Sequence, residues 1–321
     1  MRFVAIVTAF LLLSVIPIPQ GKINIVVSIG SLKSIVEEIC GEYASMDVII
    51  PEGSDPHSYS LTSEDYDKIE KADLIILANS ENLGIEREIR EAFPDKNYLD
   101  FEDYASYGAE FHSLPGFGEK NFHGYWLYPS NALAIGRAVA EKMKFVDPEH
   151  KDYYEEVYKS FRERVLSAWE YINESLEQSS CIVAVPGVAY MAETMRMNVK
   201  GTLLKEPNSF VQGSELKKYA DMMKRGEIRY VVCPEELKDT NIDKFSKEFA
   251  SENDGEVIYL KIFSGRMPYD SLLYYNSAAV LRPLKESDGE SLLWILATAI
   301  LAVVAVLEFL IIIRWKRRLM E

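Results

Sequence analysis

Four histidines occur in the 321 residues, and three of them stand where the chain breaks regular structure. His57 lies in GSDPHSYSLTSED, between an Asp-Pro pair and a run of hydroxyl side chains, directly after the apolar segment MDVII. His112 and His123 bracket the Gly- and Pro-containing stretch FHSLPGFGEKNFH. Neutral imidazoles are ligands for borderline divalent ions such as zinc. A loop histidine bonded to backbone is the alternative for His57, and both readings stay open at this point. His150 follows Pro148-Glu149 and reads as a solvated helix residue. The three cysteines, Cys40, Cys181 and Cys233, have no metal-type spacing and read as buried thiols. No H-E-x-x-H or nucleophile motif occurs, so nothing in the chain points to an enzyme.

The elements that must position these residues alternate. INIVVSI, MDVII, DLIILAN and YLDF in the first part, then CIVAV, YVVCP and EVIYLKI in the second, are short apolar runs separated by helical patterns. That alternation predicts an α/β fold with parallel sheets. Thr62 or Ser63 opens the helix TSEDYDKIEKA as its cap, with acidic residues in the first turn. Between the two strand sets, Tyr154, Val157, Tyr158, Phe161, Val165, Ala168, Trp169 and Ile172 recur at helical spacing. The chain is therefore expected to form two α/β lobes, 22–147 and 179–284, joined by one long helix over 148–178. Such a helix of ~30 residues would span ~45 Å. In open parallel sheets ligands bind at the carboxyl ends of strands. That rule selects PEGSDPHSY, FHGYWLYP, VPGVAY, PEE after YVVC, and FSGRMPYD as loops facing an interlobe cleft.

The two ends of the chain set its compartment. MRFVAIVTAFLLLSVIPIPQG, residues 1–21, reads as a secretory signal peptide. LLWILATAILAVVAVLEFLIII, Leu292–Ile313, is long enough to cross a bilayer as a transmembrane helix of ~33 Å. The basic tail 314–321 follows it and is expected to stay cytoplasmic, after a polar linker at 285–291. The expected location is the cell membrane, single-pass, with the large domain extracytoplasmic and the C-terminus cytoplasmic. A formal charge of −15 argues against nucleic acid as a partner.

DPHSYSLTSEDYDKIEKADLIILAN, Asp55 to Asn79, together with WLYPSNALAIGRAVAEKM and FVDPEHKDYYEE, resembles the metal-binding solute-binding proteins of ABC transporters for zinc and manganese. These are the proteins whose lobes are joined by one long helix. The resemblance covers about residues 22–284. It implies capture of a divalent metal ion for an ABC permease with a cytoplasmic ATPase, with ligands drawn from both lobes. His57 falls on the first ligand position. The second is expected two residues before Trp126, at Gly124, which makes His123 its replacement after a slip of one residue. In the second lobe the resemblance implies ligands at Val185 and Met267, neither of which suits a cation of this class. Asp270, three residues beyond Met267, and Glu235 or Glu236 at a strand end are the carboxylates available instead, and His112 is a third imidazole. Two imidazoles with one or two carboxylates suit zinc and tolerate manganese. A second reading keeps the fold but takes Val185 and Met267 as signs of a remodelled site, making the chain a receptor for an organic ligand or a protein partner.

Overall fold

A computed structural model of the chain describes residues 21–206 and 209–281. The expected signal up to Gln20, the linker, the apolar run Leu292–Ile313 and the basic tail lie outside the described residues. Among the described residues no helix is long and apolar enough to cross a membrane. The chain forms two compact units that are not continuous in sequence. Of the described residues, the first takes 21–110, Pro129–Val165 and Phe263–Pro268, and the second takes Phe111–Tyr128, Leu166–Ile262 and 269–281.

In the first unit β1 (Ile23–Ile29), α1 (Gly30–Cys40), β2 (Ala44–Ile50), α2 (Ser63–Lys71), β3 (Leu74–Ile76), α3 (Gly84–Ala92), β4 (Tyr98–Leu99), α4 (Phe101–Ser106) and α5 (Pro129–Val146) follow in order. Helix α6 (Lys151–Ser175) supplies its residues up to Val165 to this unit and the remainder to the other. The sheet is parallel throughout, in the order β2-β1-β3-β4. Residues Ile25 to Ser28 of the central strand β1 are all buried. This is why the strand reads as an unbroken apolar run rather than an alternation. Its core gathers Val26, Ile49, Ile50, Ile69, Ile75 and Leu77.

Thr62 caps α2 as the sequence predicts. Its hydroxyl accepts from the Asp65 N–H at 3.3 Å, while the Asp65 carboxylate accepts from the Thr62 N–H at 2.9 Å and hydroxyl at 2.7 Å. This reciprocal pairing satisfies donors that a helix start otherwise leaves open. It fixes where the loop carrying His57 must end.

Glu86 ties the carboxyl ends of β1 and β3 together inside this unit. Its fully buried carboxyl accepts from the Ser28 hydroxyl, from the Ala78 N–H at 2.7 Å and from the Asn79 N–H at 2.6 Å. Burial pushes its pKa up to about 7, with the nearby Asp100 charge acting in the same direction against those three donors. The protonated form is thus favoured in the fold. The stabilisation from this group is complete below its ordinary value of 4.5 and is lost as pH rises to about 7. We expect Glu86→Gln to flatten this component of the profile, a change on the order of 3 kcal/mol in unfolding free energy between those limits. Urea denaturation across that pH range reads it; an unchanged slope would contradict the assignment.

The long helix begins later than its first proline suggests. Pro148–His150 form a single 3-10 turn, and α6 runs for 25 residues from Lys151. His150 is not a freely solvated helix residue, as its position had indicated. It stacks on Tyr43 at 3.8 Å between ring centroids, and its Nδ1 lies 2.8 Å from the Asp147 carboxylate. The turn points it back to α1's end instead of outward along a helix face.

In the second unit β5 (Ser179–Val183), α7 (Ala189–Thr194), β6 (Met197–Thr202), β7 (Leu204–Glu206), β8 (Ser209–Phe210), α8 (Gly213–Lys224), β9 (Tyr230–Pro234), α9 (Asn241–Glu252), β10 (Glu256–Leu260) and α10 (Tyr269–Leu281) follow in order. The sheet order is β10-β9-β5-β6, again all parallel, and β7 and β8 make a separate antiparallel pair. Ile182, Val231, Tyr219, Met223 and Phe249 belong to its core. Cys40, Cys181 and Cys233 are buried free thiols, as their apolar settings implied. Burial, helped by the Asp243 charge, raises the Cys233 thiol to about 12. It is inert as a thiolate ligand at neutral pH.

Candidate metal-binding residues

His57 is exposed on the loop between β2 and α2. Its own backbone N–H donates to Asp55 Oδ1 at 2.9 Å, and the Ser58 hydroxyl donates to the Asp55 carbonyl at 3.2 Å. Asp55 therefore folds a tight side-chain turn in which its carboxylate accepts the N–H of the histidine two residues on.

The second unit repeats the device. The His123 N–H donates to Asn121 Oδ1 at 3.1 Å, the same two-residue offset. Asn121 is 1% exposed, and its Nδ2 donates to the Pro186 carbonyl at 2.9 Å. Tyr190, on α7, donates its phenol hydrogen to the Asn121 carbonyl at 2.7 Å and accepts from the His112 N–H at 2.8 Å. One buried phenol thus holds both ends of the 112–121 loop.

After His123 the chain passes through Gly124 at φ 75°, in the left-handed region. A Cβ there would lie 2.3 Å from the Gly187 carbonyl oxygen. No histidine fits at this place, for steric and conformational reasons together. The turn after His123 therefore needs a glycine at the place where the resemblance implies a ligand. Trp126 follows in the 3-10 turn Tyr125–Leu127.

The remaining residues are distributed as follows. His112 places Nδ1 2.5 Å from Glu193 Oε2 and packs its ring against Tyr128 and Tyr190. Glu235 accepts from the Tyr275 hydroxyl at 2.8 Å in the 3-10 turn after β9. Glu236 accepts from the Ile262 N–H at 3.1 Å. Asp270 is half-buried in the first turn of α10, where a negative charge also complements the helix N-terminus. Val185 is extended and half-buried ahead of the turn Pro186–Val188. Among the described residues no group of three or more His, Cys, Asp or Glu side chains is gathered as a ligand set. Sequence reasoning missed Asn121 and Glu193, and it placed Tyr190 only among the aromatics of the candidate loops, without its hold on residues 112–121. The signal for Asn121 was available: D-P-H and N-F-H repeat one spacing, a short amide or acid two residues before histidine.

Residues 25–278 match the model of the family described as zinc-uptake complex component A, periplasmic. The chain belongs to that family. Membership bears out the resemblance read from Asp55 to Asn79 and from the Trp126 segment, and it makes the chain a component of a metal-uptake complex rather than an enzyme. The manganese ABC transporter substrate-binding lipoprotein scaA of Streptococcus gordonii is 25% identical over 281 residues, covering 80% of this chain and 87% of that protein. Two solved structures share the fold. The crystal structure of ZnuA aligns with a TM-score of 0.65 at 19% identity, covering 81% of this chain and 98% of that one. The solute-binding protein FpvC of Pseudomonas aeruginosa, solved in complex with Mn2+, aligns with a TM-score of 0.67 at 16% identity, covering 81% and 98%. The family member described here therefore has the two-unit α/β architecture with parallel sheets that its sequence predicts.

Proposed function

We propose that this protein is a membrane-anchored, extracytoplasmic substrate-binding protein that captures a divalent metal ion and hands it to an ABC permease driven by a cytoplasmic ATPase. The observation that carries the reading is the repeated turn: Asp55 and Asn121 each hold the N–H of a histidine two residues on. His57 is the imidazole donor of the first unit, and His123 and Asp270 are the imidazole and carboxylate donors of the second. Glu235 and His112 are further donors, the first with Oε2 held by the Tyr275 hydroxyl and the second with Nδ1 held by Glu193, an outer-partner arrangement that directs ligation to the other ring nitrogen. Nitrogen-rich ligation favours zinc, since manganese stands at the weak end of the divalent series for any such site. Relatives named for manganese make it the competing cargo. Leu292–Ile313 is the anchor and residues 1–21 the export signal, in the place of the lipid that the name of the streptococcal relative implies.

Calorimetric titration of the metal-stripped full chain tests the cargo. Zinc is expected to bind at least about tenfold tighter than manganese, following the divalent series. Manganese binding as tightly as zinc would reverse the assignment, and neither metal binding below millimolar would return the chain to the receptor reading.

A further inference from the structure

The Asn121 amide is oriented by its surroundings. Its Nδ2 donates to the Pro186 carbonyl, which has no hydrogen to give, so Oδ1 is the atom turned toward His123. That oxygen receives the His123 N–H at 3.1 Å and lies 3.3 Å from the His123 ring Nδ1. An amide oxygen only accepts, so the ring nitrogen facing it carries the proton when the imidazole is neutral. The lone pair is then on Nε2. An unconstrained imidazole prefers the opposite tautomer, with the proton on Nε2, so the preference must be imposed by a neighbour.

We propose that Asn121 is a positioning residue that holds His123 in the Nδ1–H tautomer and so makes Nε2 its donor atom. The role rests on the reading of His123 as a ligand. Asn121 touches no cargo; it acts by fixing the nitrogen that does, as outer partners of metal-bound histidines do. Its own position is secured twice, by the Pro186 carbonyl and by the Tyr190 phenol on its main-chain carbonyl. Asp55 makes the main-chain half of the same pattern for His57.

Long-range proton–nitrogen NMR on the metal-stripped full chain, labelled with 15N-histidine and held near pH 8, reads the tautomer directly; His123→Gln assigns the signal. The wild-type ring is expected to be protonated on Nδ1. Asn121→Ala is expected to move it to Nε2–H, whereas Asn121→Asp, which keeps an acceptor oxygen, retains Nδ1–H. A wild-type ring protonated on Nε2, or an Asn121→Ala ring unchanged, overturns the proposal. Should Asn121→Ala fail to fold, the wild-type tautomer alone decides. Zinc titration of the same proteins separates the two readings. Asn121→Ala is expected to lose about 10- to 100-fold in affinity, and Asn121→Asp to keep most of it. If His123→Gln binds zinc as the wild type does, the ligand role of His123 falls, while the tautomer assignment still stands or falls on the NMR.

Discussion

Replacing His57 with alanine is expected to lower zinc affinity by on the order of 100-fold or more while leaving the fold intact. Loss of a hydrogen-bond partner to a metal-bound histidine costs 10- to 100-fold in known sites, so loss of the ligand itself should cost at least as much. Stability should be largely spared because the side chain is exposed, so its removal opens no cavity in the core. The expected change in unfolding free energy is within about 0.5 kcal/mol. Calorimetry for zinc and urea denaturation for stability, on the same preparation, read the two effects separately. Affinity within twofold of wild type would remove His57 from the ligand set.

The second large effect falls on Gly124. Alanine here is expected to destabilise the protein by about 2 to 4 kcal/mol, combining the cost of a left-handed non-glycine residue with a contact that backbone must move to relieve. The obstructing atom is the Gly187 carbonyl oxygen, 2.3 Å from the added Cβ, and it belongs to main chain rather than to a side chain able to swing away. Because Gly124 directly follows His123, the same substitution should also weaken zinc binding in whatever fraction folds. Gly124→His would place a ligand where the sequence pattern of the family expects one and should fare no better than alanine. Chemical denaturation measures the first effect, and a loss under 0.5 kcal/mol would mean that the turn adjusts freely.

Much of this architecture was legible because buried parallel strands announce themselves. Val26, Val27, Ile75, Ile182, Val231 and Val232 are buried with their neighbours on the strand, so they read as continuous apolar runs. Strand β6 did not. It lies at the edge of its sheet, where Asn198 is exposed and Lys200 half-buried, and its polar residues masked it. The β7–β8 pair is too short to leave a pattern. Thr62 was found because a helix start makes chemical demands on local sequence, whereas the stacking of His150 on Tyr43 depends on a turn that sequence periodicity does not register. Residues 111–128 pack with the second unit through Tyr190, a partner far along the chain.

The proposed ligand residues were legible in kind more than in place. His57 and His123 stood out by chemistry, and the glycine after His123 looked like a missing ligand until its φ and its closeness to Gly187 gave it a structural cause. Val185 has no such account: it is extended and half-buried, and nothing around it explains why a ligand is absent. Asn121 is the reverse case. Its role depends on which way an amide faces, and that is settled by Pro186, 65 positions away in sequence.

X-ray absorption at the zinc edge of the loaded full chain tests the central claim most directly. Bound zinc is expected to show nitrogen and oxygen neighbours near ~2.0 Å, with outer-shell scattering from at least two imidazoles, one of which is lost in His57→Ala. A sulfur neighbour near ~2.3 Å, or a shell with no imidazole, would contradict it.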